Sequence, residues 1–253
     1  MSTVQSIERA MKILELLSKK PKGLGVTEIH NELELPTTTI HRILSTLAKY
    51  NVVVKESDTD KYSLGLYLLH LTSSILENMD IRMVARPFLE ELRDETNEVI
   101  HLCIHEEGEA VYIDKVENTQ KIRISSQVGY RALMHCTGVG KALLAGMSEE
   151  SVREIINKKG LPKFTETTIT DYEVLIDHLK IIRERGYSID ELEHEENIRC
   201  IAAPIFDFQG EVIAGISIAG PSSRVTRERV ERELVPIILE KSKRISEALG
   251  YKG

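Results

Sequence analysis

Residues 35–55 read LPTTTIHRILSTLAKYNVVVK, and this stretch decides the fold of the N-terminal part of the chain. Apolar side chains recur there at spacings of three and four, which predicts an amphipathic helix with one buried stripe. The stripe consists of Ile40, Ile43, Leu44 and Leu47. Pro36 occupies a position that favours the first helical residue, and Val52-Val53-Val54 predicts a short strand after the helix.

The segments on either side complete a recognisable motif. The upstream apolar residues Ile7, Met11, Leu14 and Leu17 predict a first helix with a buried stripe, and Val26–Leu33 predicts a second, shorter helix. Downstream, the polar residues 56–60 predict a turn, and a return strand begins at Lys61. Three short helices followed by a hairpin are typical of a winged helix-turn-helix, which we assign to residues 1–63.

Such a motif places its second helix in the major groove of double-stranded DNA. The candidate DNA-binding residues on this helix are Thr37, Thr38, Thr39, His41 and Arg42. Arg42 is the first choice for reading a base and Thr38 the second, because an arginine can hold guanine in a bidentate contact. Lys49, Lys55 and Lys61 are expected to contact phosphates. Any solvent-exposed helix face has a similar composition. This pattern alone therefore does not distinguish a DNA-binding face from an ordinary exposed face.

Composition and charge limit the class of protein. The 253 residues carry a net charge of −7, but residues 1–62 hold 9 Lys+Arg against 8 Asp+Glu, so the acidity belongs to the rest. No apolar run approaches the ~20 residues of a membrane span, and the charged N-terminus is unlike a signal peptide. Cys103, Cys136 and Cys200 lie far apart, which is not the pattern of a disulfide framework. These features predict a cytoplasmic protein with no membrane partner.

Residues 64–80 predict a linker helix, because LGLYLLHLTSSILENM (64–79) is apolar over a wide surface. Such a surface favours burial against a second subunit, hence a homodimer. A further helix is expected at about 82–96, with Pro87 delaying its start or kinking it. Strands at 99–105, 110–116, 121–126, 199–207 and 212–219, with helices at 138–146, 148–158, 171–185 and 226–250, predict an α+β domain over residues 81–253.

Several motifs, in this order, resemble the IclR family of transcription regulators. They are SIERAMKILELL (6–17), TTTIHRILSTL (37–47), KYSLG (61–65), GYRALMHCTGVGKALLA (129–145), ERGYSIDELEHEENIRCIAAPIFD (184–207) and VIAGISIAGPSSRVT (212–226). The resemblance covers nearly the whole chain. It implies a GAF-like, mixed α/β effector-binding domain behind the winged helix-turn-helix and linker helix, and assembly into homodimers or homotetramers.

The resemblance also implies a pocket for a small organic acid. The residues that match the family's pocket are Gly138, Val139, Asp190, Cys200, Ser217 and Ala219. The amides of Gly138 and Val139 would bind the carboxylate, which suits the free N–H groups at a helix N-terminus. Ala219 departs from the family pattern, in which a hydroxyl stands there, and this departure disfavours small two- or three-carbon keto acids. The implied function is that of a DNA-binding regulator, with relief of repression the favoured response to the acid.

Other interpretations of the same residues stay open at this stage. Cys200 and Ser217 could both be buried core residues instead of ligand contacts. Asp190 could cap its loop, and His135 could orient its loop. A metal-responsive regulator would draw zinc ligands from His101, Cys103, His105, His135, Cys136, His194 and Cys200, although no zinc-finger spacing occurs. A cysteine-dependent enzyme would use Cys200 with His135 or His194. No hydrolase signature surrounds that cysteine, and we expect neither catalysis nor a cofactor or metal.

Overall fold

The computed structural model describes residues 4–71, 81–120, 124 and 126–253. The chain divides into two compact units, Met1–Met79 and Asp80–Gly253. Residues 67–71 are helical, as the predicted linker helix requires, and the remainder of that prediction lies outside the described residues. The division into parts at 1–63, 64–80 and 81–253 stays a prediction.

The N-terminal unit is a winged helix-turn-helix, as the sequence predicts. Its helices are α1 (Gln5–Ser18), α2 (Val26–Leu33) and α3 (Thr37–Lys49), and its strands are β1 (Val53–Lys55) and β2 (Tyr62–Leu64). The two strands pair antiparallel and form the wing. Pro36 precedes α3 instead of starting it, and its carbonyl accepts hydrogen bonds from the amides of Thr39 and Ile40.

The core of this unit corrects one prediction about α1. Ile13 and Leu17 are the buried residues of this helix, and they pack with Ile40 and Leu44 of α3. The predicted stripe wrongly included Ile7 and Met11, which are exposed. The reason is that these two side chains line an open groove between α1 and α3. A helical spacing does not distinguish a core face from a groove.

The C-terminal unit is built on one six-stranded antiparallel sheet. Its strands are β3 (Val99–Glu106), β4 (Glu109–Val116), β5 (Arg131–Leu133), β6 (Ser188–Glu191), β7 (Ile198–Phe206) and β8 (Val212–Pro221). They lie in the order β5-β4-β3-β8-β7-β6. The central pair is therefore β3 and β8, which come from opposite ends of the domain sequence.

Helices cover both faces of this sheet. They are α4 (Ile81–Thr96), α5 (Gly138–Ala145), α6 (Glu149–Lys159), α7 (Tyr172–Arg185) and α8 (Val235–Ala248), the last preceded by a short helix, Arg227–Arg229, and a π-helical turn, Val230–Leu234. Helices α5 and α7 pack with Cys103 and Ala202, whereas α4 and α8 pack on each other and on the strands. Because side chains alternate between the faces, the buried Leu102 and Ile201 belong to the second face.

Three expectations for this unit need correction. Helix α4 runs from Ile81 straight through Pro87, so the proline does not delay its start. Pro87 removes the hydrogen bond to the Met83 carbonyl, but Met83 is 73% exposed, so water can satisfy that carbonyl. Strands β5 and β6 were not predicted. A strand was also predicted at 121–126. Ile124 and Ser126 are not in a strand, and the other residues of that prediction lie outside the described residues.

Candidate functional site

The N-terminal unit presents one face of α3 to solvent. Ile40 and Leu44 are fully buried, so the residues on the opposite side of the helix point outward. These residues, spaced three and four apart, are Thr38, Arg42, Ser45 and Lys49. In the described part of the chain, neither Arg42 nor Lys49 forms an ion pair with an acidic side chain. Both cations are therefore available to an anionic partner.

The other candidates on α3 lie beside this face. Thr37 is exposed at the helix N-terminus, and Thr39 is half-buried at the groove that α1 lines. His41 lies on the wing side, where its Nδ1 is 3.3 Å from the Ser45 hydroxyl. Ser45 is an addition to the residues predicted to contact DNA, and its helical spacing from Arg42 and Lys49 is the signal that points to it.

Both wing lysines are engaged with acids. Lys55 Nζ lies 2.5 Å from Asp60 Oδ1, and Lys61 Nζ lies 3.3 Å from Glu28 Oε1. Both pairs are exposed to solvent and therefore weak, so a phosphate can replace the carboxylate. The wing is thus suited to contacts with phosphates, at the expense of two weak ion pairs.

The C-terminal unit contains a partly open cavity of ≈ 100 Å³ on one face of the sheet. Strand register explains how distant residues meet there. Asp190 on β6 pairs with Cys200 on β7, which pairs with Ala219 on β8, so the three side chains share a face. All three line the cavity, together with Gly138 and Val139 of α5. The structure thus brings together five of the six predicted effector residues.

The start of α5 forms one end of this cavity. The Thr137 side chain accepts a hydrogen bond from the Gly140 amide, and its carbonyl accepts one from Lys141. This cap does not use the Gly138 and Val139 amides, and the Val139 amide hydrogen-bonds the Cys200 sulfur at the cavity wall. A Cβ on Gly138 would lie 3.1 Å from Cys200 Sγ, so the absence of a side chain lets α5 approach β7 closely. An anion at this end would face N–H groups and the positive end of the helix dipole.

Asp190 has two functions in the structure. Its Oδ1 accepts hydrogen bonds from the amides of Glu193 (2.6 Å) and His194 (3.4 Å), which holds the loop after β6. The same residue is almost fully buried and lines the cavity. Burial raises the pKa of Asp190 from 3.8 to about 7, and the nearby Glu193 carboxylate adds to this rise. The side chain therefore exchanges its proton near neutral pH.

A buried ion pair lies behind Asp190. Lys141 is fully buried in α5, and its Nζ donates to the Ile189 carbonyl at 2.8 Å and to Glu193 Oε1. Burial raises the pKa of Glu193, although the lysine opposes this effect. The Lys141 cation thus lowers the pKa of both the Glu193 and the Asp190 carboxyl groups. An acidic ligand would add a third negative charge to this cluster.

Cys200, Ser217 and Ala219 occupy the sheet side of the cavity. Burial and the Asp190 carboxylate raise the pKa of the Cys200 thiol to about 12, although a hydrogen bond with Ser217 opposes this effect. Ser217 is buried behind the lining, 3.3 Å from Nδ1 of His101. Ala219 lines the cavity with a methyl group. Ser217 is therefore the one predicted effector residue that supports the cavity without forming its surface.

The other end of the cavity was not predicted. It is lined by His101 of β3, Tyr112 of β4, and Ser126 and Tyr130 of the segment between β4 and β5. His101 Nε2 is 2.7 Å from the Ser126 hydroxyl, and the edge of the imidazole meets Tyr112 with ring centres 4.9 Å apart. Burial and the nearby Lys115 lower the pKa of His101 to about 3, so its ring is neutral. A histidine within an apolar strand was the available signal, but its spacing from Cys103 and His105 favoured metal binding.

The residues considered for zinc have other partners. His105 accepts a hydrogen bond from the Gly108 amide, and His135 Nε2 lies 3.1 Å from the Pro162 carbonyl. Cys136 Sγ is 3.7 Å from His194 Nδ1. Across the described ranges, no three His, Cys, Asp or Glu side chains converge as a metal site would require. The high pKa of Cys200 also keeps its sulfur protonated, which opposes a role as a nucleophile.

A winged helix-turn-helix with two available cations on α3, in a chain that also contains a small cavity, is typical of a ligand-responsive DNA-binding regulator. The comparisons with known proteins agree. A family model described as IclR helix-turn-helix domain matches residues 6–57, and one described as bacterial transcriptional regulator IclR C-terminal matches residues 73–247. Among the helices that the structure describes, none is long and apolar enough to cross a bilayer.

Similar proteins align over almost the full length. The transcriptional repressor IclR of Escherichia coli K12 is 34% identical over 98% of this chain and 90% of its own length. The repressor AllR of the same strain is 36% identical over 98% of this chain and 91% of its own. The crystal structure of Thermotoga maritima IclR is 33% identical, covers 98% of this chain and 99% of its own, and superposes with a TM-score of 0.65. The chain belongs to the IclR family of bacterial transcriptional regulators.

Proposed function

We propose that this chain is a cytoplasmic, non-catalytic repressor whose affinity for double-stranded operator DNA changes when a small organic acid binds in the C-terminal cavity. The observation that carries the proposal is the outward face of α3, where Arg42 and Lys49 are exposed without acidic partners in the described part of the chain. Both E. coli relatives are named repressors, which supports repression as the sign of regulation.

The cavity supports an acid as the effector. The amides of Gly138 and Val139 are not used by the helix cap and adjoin the cavity. The cavity volume of ≈ 100 Å³ is smaller than the ~150 Å³ of a cavity that holds benzene. This size favours small acids, whereas the methyl group of Ala219 removes a hydrogen-bonding partner that the family pattern supplies.

The proposed protein acts as a homodimer, or as a pair of dimers. Leu66 is 80% exposed and Leu71 is 49% exposed in the single chain, and both belong to the segment predicted to link the units. Exposed leucines in this number favour burial against a second copy. Two-fold symmetry would then require a nearly palindromic operator. Light scattering that gives the mass of a monomer at micromolar concentration would contradict this part of the proposal.

The main test begins with selection of an operator from a randomised DNA library by the full-length protein. Binding of the selected duplex is then titrated with small acids, and a promoter carrying the operator is transcribed in vitro with and without them. We expect the protein to lower transcription and an acid to restore it. The control is Lys12→Ala, which should bind the selected duplex as wild-type protein does, since Lys12 is exposed on α1 and its acidic partner among the described residues is Glu8. Failure to enrich any sequence would refute the DNA-binding assignment.

A further inference from the structure

Two serines and a histidine form a hydrogen-bonded chain along the cavity. Ser217 lies 3.3 Å from Nδ1 of His101, and Ser126 lies 2.7 Å from Nε2. His101 is 2% exposed, so these hydroxyls are the partners of both its nitrogens. A neutral imidazole has one N–H donor and one acceptor nitrogen, whereas a serine hydroxyl has one donor and two acceptor sites. Ser126 therefore keeps hydrogen-bonding capacity beyond its contact with His101.

The position of Ser126 directs that capacity toward the cavity. Lys115 Nζ donates to the carbonyls of Ile124 (3.0 Å) and Ser126 (2.7 Å), which fixes the backbone at this wall. Ser126 is part of the cavity lining, whereas Ser217 is not. Register places His101 on β3 next to Ser217 on β8, and β8 and β7 separate it from Asp190 on β6. Ser126 and the start of α5 thus lie at different ends of the same cavity.

Building on the proposed function, we infer that Ser126, positioned by His101, determines effector specificity by binding a hydroxyl or carbonyl group of the acid held at α5. The tautomer of His101 sets the direction of the hydrogen bond. If Nε2 carries the hydrogen, it donates to Ser126, whose hydroxyl hydrogen is free for a carbonyl. If Nδ1 carries it, Ser126 donates to Nε2 and accepts from a hydroxyl of the ligand. One wall can therefore recognise keto and hydroxy acids.

This assignment compensates for the departure at Ala219. The sequence pattern lacks a hydroxyl on β8 at that position, which disfavoured small keto acids. Ser126 supplies a hydroxyl to the same cavity from the segment between β4 and β5. Acids without a second polar group would leave the spare hydrogen-bonding site of Ser126 unused, with His101 still bonded to both serines. Acids with and without a second polar group therefore differ by one hydrogen bond, which corresponds to about two- to tenfold in affinity.

The test compares three acids of nearly equal size on the full-length protein by calorimetric titration. Lactate and pyruvate carry a hydroxyl and a carbonyl, respectively, whereas propionate carries neither. We expect wild-type protein to bind lactate or pyruvate about two- to tenfold more tightly than propionate. Ser126→Ala should remove this preference and leave the affinity for propionate unchanged. His101→Asn should reduce the preference by disordering Ser126.

The matched control is Ser223→Ala, which removes an exposed hydroxyl outside the cavity and should preserve the preference. A general loss of structure would lower the affinity for all three acids in parallel, so the ratio between acids isolates the role of Ser126. Equal affinity for the three acids in wild-type protein, or a preference that survives Ser126→Ala, would overturn the inference and leave the proposed function standing. Binding of none of the three acids would also overturn the inference, whereas the operator selection tests the proposed function independently.

Discussion

Replacement of Asp190 by asparagine should stabilise the folded chain at neutral and alkaline pH. The carboxyl group is almost fully buried beside Glu193, with Lys141 as the shared cation, and its pKa rises from 3.8 to about 7. Asparagine keeps the shape of the side chain, and its oxygen can still accept the hydrogen bond from the Glu193 amide. The substitution therefore removes the cost of burying a charge and preserves the loop contact.

The magnitude follows from the difference in pKa between the unfolded and folded states. Between pH 3.8 and about 7 the folded state holds a proton that the unfolded state has released, so wild-type stability falls as the pH rises through this interval. Three units of pKa correspond to about 4 kcal/mol, which is an upper limit because the structure can relax around the charge. The variant should gain this amount above pH 7, and the gain should vanish near pH 4.

Urea unfolding of wild-type protein and Asp190→Asn across this pH range measures the gain directly. Asp177→Asn is the control, because Asp177 is exposed in the same unit and its basic partner among the described residues is Lys180. Its stability should follow that of wild-type protein at every pH. A difference between Asp190→Asn and wild type that stays constant with pH, or a variant less stable above pH 7, would refute the reasoning about Asp190.

Three further predictions concern binding and packing. Acid affinity should fall as the pH rises above about 7, since a bound carboxylate near Asp190 favours its protonated form; titrations in buffers of different ionisation enthalpy should reveal proton uptake, and an affinity independent of pH would contradict it. Arg42→Ala should lower operator affinity by about 1–3 kcal/mol and weaken the base preference at one position per half-site. Lys49→Ala should weaken binding to all DNA sequences alike and reduce the slope of log affinity against log salt concentration by about 1. Gel shifts at several salt concentrations can check both. Gly140→Ala should destabilise the fold by about 1–3 kcal/mol in thermal melts, because its Cβ would lie 2.4 Å from the Met134 Cα. Gly138→Ala should destabilise the fold less, because its nearest contact lies at 3.1 Å. The reverse order of stabilities would contradict the packing described for α5.

Local periodicity was sufficient to predict most of the elements. Helix α3 follows from the spacing of Ile40 and Leu44, which the structure buries completely. Strands β5 and β6 contain only three and four residues, too few for an alternating pattern to stand out. Proline and groove positions also misled, because the spacing of Ile7 and Met11 is the same whether they face a core or an open groove.

The cavity was predictable at one end only. The residues at the start of α5 and in the strands β6 to β8 follow from motifs that resemble a known family, and the register brings them together. His101 and Ser126 carry no motif, and they become neighbours of the site through pairing of β3 with β8 and through Lys115. The burial of Lys141 could not be predicted either, because it depends on an ion pair with Glu193, 52 positions away. Contacts at such separation leave no periodic pattern in the sequence.

The central position of β8 has a consequence for the order in which the molecule assembles. β8 joins the β5-β4-β3 half of the sheet to the β7-β6 half, and it pairs His101 with Ser217, 116 positions away. Closing so long a loop has a large entropic cost, which slows folding. In contrast, the winged helix-turn-helix pairs only elements between residues 5 and 64.

During synthesis, the DNA-binding unit can thus complete its fold while the sheet still lacks its central strand. A chain that ends before Val212 would lack both β8 and α8, so nothing would join the strand that carries His101 to the strands that carry Asp190 and Cys200. Such a product would keep the operator-binding unit and lose the response to the acid.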